Sequence, residues 1–148
     1  MNIWSQEHLV VLLRIAAAIQ LCVAALNLQL VRLLDWRPEL QRMPLLVREV
    51  FQVHLWFISL TLAIFATLTW RFARDMAGTN EMADWLALGV GVFWSVRAVM
   101  QIAYYSASHW RGKLAPTFVH VALLLVYSCM SAVYCSAGIG AIHAWNSH

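Results

Sequence analysis

Four long apolar runs constrain this chain more than any other feature of its sequence. They cover about residues 9–31, 45–70, 84–106 and 116–139. A transmembrane helix needs about 20 consecutive, mostly apolar residues, so each run is long enough to cross a bilayer. The first run is also longer than the core of a signal peptide and lacks a cleavage motif, which favours a retained span. The sequence therefore predicts four transmembrane helices.

The composition supports a membrane protein and excludes a nucleic-acid binder. Hydrophobic residues make up 62% of the 148 residues and charged residues 11%, whereas soluble domains have about 25% charged residues. A net charge of +3 is too small and too scattered to indicate a nucleic-acid partner. A chain of this length is expected to form a single domain, 1–148.

Short connections join the four runs, so consecutive helices should be antiparallel neighbours. The predicted fold is an all-α integral membrane four-helix antiparallel bundle with short loops. Most tryptophans lie near the ends of the runs, which is typical of the two membrane interfaces. Trp56 and Trp94 lie inside runs, and we expect both to face the bundle.

The orientation is predicted from the basic residues, which are more frequent in cytoplasmic loops. Those on the side of the first and third connections are Arg32, Arg37, Arg42, Arg48, Arg111 and Lys113. Those on the opposite side are Arg14, Arg71 and Arg74. We expect the first and third connections to be cytoplasmic and both termini to be periplasmic, in a bacterial inner membrane.

Polar side chains within the spans indicate how the helices pack. Gln20 and Asn27 lie seven residues apart on one face of the first helix, which predicts amide hydrogen bonds to a neighbouring helix. In the second span, residues at alternating steps of three and four predict a bundle seam. This seam contains Glu49, Gln52, Trp56, Ser59, Ala63, Ala66 and Trp70.

Arg97 is the charged residue in the interior of the third span. A cation in hydrocarbon costs several kcal/mol unless it is paired or lines a wet cavity, so it marks a candidate functional site. Gln101 and Tyr104 follow it on one helical stripe, with Tyr105 at the stripe's edge. We expect Glu49 to be its counter-charge, because pairing lowers the cost of burying both groups.

The four helices place their polar residues at one depth, near the predicted cytoplasmic side. We expect these residues to converge in one cavity. The predicted catalytic groups are Glu49, His54 and His120. The predicted ligand-binding groups are Gln52, Arg97, Gln101, Tyr104 and Tyr105.

This set suits the headgroup of an amphiphile. Arginine, glutamine and tyrosine can orient an anion or a carbonyl, whereas glutamate and histidine can transfer a proton. The predicted function is therefore to bind or modify a lipid, an isoprenoid or a quinone-like molecule. No spacing matches a catalytic motif, so enzymatic activity is left open, and no spacing predicts a metal-ion site.

Two alternatives remain open at this level. In the first, His54 and His120 are the axial ligands of a b-type haem between facing helices. In the second, the protein is a non-catalytic accessory subunit or assembly factor, and the polar residues hold the helices together. Its partners would then be membrane lipids together with another membrane protein or a second copy of the chain.

Overall fold

A computed structural model of the chain describes residues 3–33, 35–78, 80–104 and 114–139. These residues form an all-α protein. The helices are α1 (Ile3–Leu33), α2 (Arg37–Arg42), α3 (Leu45–Met76), α4 (Glu81–Ala103) and α5 (Leu114–Ala137). All except α2 are long and apolar enough to cross a membrane. The predicted helical membrane bundle is confirmed.

The helix ends differ from the predicted spans by up to six residues. Hydropathy marks the apolar part of a helix, whereas caps and polar turns decide where it begins. At the start of α4, for example, the Asn80 side chain accepts a hydrogen bond from the backbone N–H of Ala83, at 3.2 Å. Asparagine is favoured at this position because it satisfies an amide that has no partner within the helix.

The short helix α2 lies in the first connection and is absent from the four predicted spans. Pro38 occupies its first turn, where the missing N–H of proline costs nothing. Leu40 is buried, while its neighbours in α2 are exposed. This helix brings a polar segment to the end of the membrane-spanning helices.

The chain divides into two compact units. The first unit is Met1–Leu13 with Phe72–His148, and the second unit is Arg14–Arg71. The helical geometry of α3 is interrupted at Phe72 (φ −108°, ψ 19°), where the second unit ends.

In the second unit, amide side chains connect α1 to α3. Gln20 Nε2 donates to the carbonyl of Leu62 at 3.3 Å. Asn27 Nδ2 donates to the carbonyl of Leu55 at 3.1 Å and to the Ser59 hydroxyl at 2.9 Å. Residue numbers rise along α1 as they fall along α3, so the two helices are antiparallel. The predicted interhelical amide bonds are confirmed.

The predicted seam of α3 is only partly correct. Ser59 and Ala66 are buried, as expected, but Trp56 is 68% exposed and Trp70 is also exposed. The buried stripe instead continues through Leu62 and Thr69. A repeat of three- and four-residue steps identifies a helical face, but it does not determine which of two adjacent faces packs against the neighbouring helix.

In the first unit, α4 and α5 pack in close backbone contact. A Cβ atom on Gly91 would lie 2.8 Å from Cys135 Sγ, and one on Gly138 would lie 2.6 Å from the backbone nitrogen of Leu88. Small residues allow such an approach between membrane helices. The predicted inward position of Trp94 is confirmed, because it is fully buried beside α5.

Candidate functional site

Three predicted site residues form a hydrogen-bonded chain within the first unit. Arg97 Nη1 donates to Gln101 Oε1 at 3.0 Å. Gln101 Nε2 lies 3.0 Å from His120 Nδ1. One helical turn separates Arg97 from Gln101, and the antiparallel packing of α4 against α5 supplies His120. Gln101 is only 2% exposed, so its hydrogen bonds are largely shielded from water.

The chemistry of the three groups fixes the direction of this chain. Arginine has donors and no acceptor, so the Gln101 atom that it contacts must be the carbonyl oxygen. The other end of the amide is then NH₂, which can only donate. His120 Nδ1 must therefore accept, which places the imidazole proton of a neutral His120 on Nε2.

Arg97 also contacts one ring of an aromatic pair that was not predicted to belong to the site. Its guanidinium carbon lies 4.6 Å from the centre of the Tyr127 ring. That ring stacks on Trp94, with centroids 5.4 Å apart and an interplanar angle of 27°. A cation over an aromatic face is stabilised by the ring's electron density. Within the first unit, the charge of Arg97 is thus met by an amide oxygen and a ring.

The remaining predicted residues of α4 and its following connection do not extend this chain. Tyr104 follows the last residue of α4, and its side chain is 82% exposed. Its predicted ligand-binding role therefore has no support from burial. Tyr105 lies outside the described residues.

Glu49 and Gln52 lie in the second unit, on the wall of an open groove of about 1120 Å³. The groove is formed by the end of α1, by α2 and by the start of α3. Its polar lining residues are Arg32, Arg37, Gln41, Arg48, Glu49 and Gln52. Its apolar lining residues are Leu28, Val31, Leu40, Val53, Leu55, Trp56, Phe57 and Leu60. The predicted pairing of Glu49 with Arg97, which belongs to the first unit, stays a prediction.

His54 is not among the residues that line the groove. It is exposed, and its Nδ1 lies 2.9 Å from the carbonyl oxygen of Val50 one turn earlier. A carbonyl can only accept, so His54 carries its proton on Nδ1 when neutral. The geometry thus gives no reason to place His54 among the catalytic groups.

The hydrogen bond of His120 does not fit its predicted role as an axial ligand of a b-type haem. A histidine that binds a metal usually donates its other ring N–H to a fixed acceptor. His120 has the opposite arrangement, because Nδ1 accepts from Gln101 and Nε2 holds the proton. Neither ring nitrogen of His120 then offers a lone pair to iron.

The arginines of the first connection indicated only the orientation of the chain in the membrane. Their convergence on one groove was not predicted, although their position on both sides of a short polar helix was the available signal. Comparisons with protein-family models, curated proteins and solved structures found no match for this chain.

Proposed function

We propose that this membrane protein binds an amphiphile, such as a lipid, an isoprenoid or a quinone-like molecule, in the groove of the second unit. The observation that carries the proposal is the division of the groove wall into a polar and an apolar part. The polar groups come from α2 and from the adjacent ends of α1 and α3. The apolar groups continue along α3 to Leu60.

The dimensions of the groove suit such a molecule. Arg48 and Leu60 are twelve residues apart in α3, which corresponds to about 18 Å along a helix. The hydrocarbon core of a bilayer is about 30 Å thick, so this length reaches from the interface to about the midplane. A headgroup held near Arg48 could therefore place its chain beside Trp56 and Leu60.

Within this proposal, the Arg97–Gln101–His120 chain supports the first unit and does not bind the ligand. Gln101 is only 2% exposed, and its amide oxygen and amide nitrogen are both engaged within this chain, so it is poorly placed to meet a headgroup. Any chemistry on the bound molecule would fall to Glu49, because it is the carboxylate on the groove wall. Binding, with or without such chemistry, is the function proposed.

Native mass spectrometry of the full chain, purified in detergent and then supplied with a polar lipid extract, tests this proposal. Leu60→Trp adds bulk on the groove wall and should reduce the fraction of lipid-bound protein. Leu125→Trp is the matched control, because Leu125 is 61% exposed, as against 57% for Leu60, and lies on α5, outside the groove. Equal lipid retention by the two variants would contradict the proposal.

A further inference from the structure

The polar end of the groove carries an excess of guanidinium groups. Arg32 comes from the last turn of α1, Arg37 begins α2, and Arg48 lies in the first turn of α3. All three line the groove, together with one carboxylate, that of Glu49. Three helix ends thus bring positive charge to one place.

Within the described residues, the side chains of these arginines have no counter-ion in contact. In the parts of the chain that the structure describes, Arg32, Arg37, Arg48 and Glu49 make no side-chain hydrogen bond or ion pair. Arg48 is nevertheless half-buried. Its guanidinium nitrogens are not among the buried, unpartnered side-chain atoms, so they remain accessible to an anion supplied by a ligand while the aliphatic stem packs on the groove.

We propose that the groove selects amphiphiles with a negatively charged phosphate headgroup, which Arg32, Arg37 and Arg48 bind. This inference rests on the proposed function and names the class of its ligand. Guanidinium groups bind phosphate oxygens through two parallel hydrogen bonds, which gives both affinity and geometry. The apolar wall continuous with the arginines identifies the occupant as a lipid phosphate rather than a free phosphate ion.

The positive-inside rule offers a simpler reason for these arginines, and the two explanations predict different behaviour. Orientation in the membrane needs only positive charge, so lysine serves as well as arginine. Bidentate phosphate binding needs the planar fork of arginine. Arg48→Lys should therefore keep the orientation of the protein and weaken phosphate binding.

The experiment measures binding of four lipids by native mass spectrometry of the full chain in detergent. The probes are phosphatidic acid, phosphatidylglycerol, phosphatidylcholine and diacylglycerol, with inorganic phosphate as a competitor. We expect the two anionic lipids to bind more tightly than the zwitterionic lipid and the phosphate-free lipid. Arg48→Gln should weaken anionic lipid binding about tenfold, as expected for the loss of charged hydrogen bonds.

Arg42→Gln is the matched control. Arg42 lies in α2 and is exposed, but it does not line the groove, and its replacement changes the net charge equally. It should change affinity less than twofold. Far-UV circular dichroism of each variant, including Arg48→Lys, establishes that the helices are retained.

The outcomes separate this inference from the proposed function. Equal affinity for phosphatidylcholine and phosphatidic acid, with loss of both on Leu60→Trp, would overturn phosphate selection and leave amphiphile binding intact. Equal effects of Arg42→Gln and Arg48→Gln, or full affinity in Arg48→Lys, would also overturn it. Displacement of the lipids by inorganic phosphate at equal concentration would show that the apolar wall contributes nothing to affinity. It would overturn the assignment of the ligand as a lipid phosphate. Absence of binding by all four lipids would overturn phosphate selection, and absence of binding by an isoprenoid alcohol and a quinone as well would overturn the proposed function.

Discussion

The close packing of α4 on α5 gives the sharpest test of the structure. In Gly138→Ala, the new methyl group would lie 2.6 Å from the Leu88 backbone nitrogen and 2.7 Å from its Cα. Non-bonded heavy atoms are most stable about 3.5 Å or more apart. Because backbone atoms cannot turn aside as a side chain can, the two helices would have to separate by about 1 Å.

Separation of this size should reduce stability measurably. Overpacking a tight interface costs about 1–3 kcal/mol. Gly138 follows the last residue of α5, so alanine gains little helix propensity there to offset the cost. Gly91 lies inside α4, where alanine gains about 1 kcal/mol over glycine. Its Cβ would lie 2.8 Å from the Cys135 side chain and 3.0 Å from the Cys135 backbone nitrogen, a looser backbone contact than at Gly138, so Gly91→Ala should be the milder change.

Gly89 supplies the control, because a Cβ added there would meet nothing within 4 Å. Gly89→Ala should be neutral or stabilising by up to about 1 kcal/mol, through helix propensity alone. The assay is reversible unfolding in mixed micelles, followed by far-UV circular dichroism. The expected order of stability is Gly89→Ala, wild type, Gly91→Ala and Gly138→Ala. If Gly138→Ala is as stable as the wild type, or if Gly89→Ala loses as much stability as Gly138→Ala, the close approach of α4 and α5 is refuted.

Three further predictions use the same unfolding assay. Asn27→Leu removes two interhelical hydrogen bonds and should cost about 1 kcal/mol, the order of such bonds in lipid; no change would show that they contribute nothing. Gln101→Leu leaves the Arg97 guanidinium without its acceptor and should cost about 1–3 kcal/mol, whereas the double variant with Arg97→Leu should recover part of this loss. Asp84 is 6% exposed, and its Oδ1 has no hydrogen-bond partner among residues 3–33, 35–78, 80–104 and 114–139. Asp84→Asn should therefore cost at most about 1 kcal/mol, the order of a helix-dipole interaction; a loss of about 3 kcal/mol would reveal a buried charged partner.

Features that depend on one helix were predictable from the sequence, because helical periodicity determines them. The hydropathy runs predicted the four long helices. The seven-residue spacing of Gln20 and Asn27 predicted their shared face, and the four-residue spacing of Arg97 and Gln101 placed both on one stripe. Such predictions need no knowledge of how one helix is aligned with another.

Features that depend on the alignment of two helices were not predictable in the same way. The contact of Arg97 with Tyr127 requires the register of α4 on α5, which glycine contacts at the other end of the pair help to set. The exposure of Trp56 requires knowledge of which face of α3 packs against α1. The groove depends on α2, which is too short and too polar to produce a hydropathy signal.

The fixed direction of the Arg97–Gln101–His120 chain ties the tautomer of one ring to the orientation of one amide. Gln101 Oε1 faces Arg97 and Gln101 Nε2 faces His120 Nδ1, so a neutral His120 carries its proton on Nε2. In the opposite tautomer the Gln101 amide would have to rotate, and its NH₂ group would then face Arg97, which has no acceptor. An arginine on α4 therefore fixes the position of a proton on α5, and nitrogen-15 labelling of the His120 ring would make that position observable by NMR.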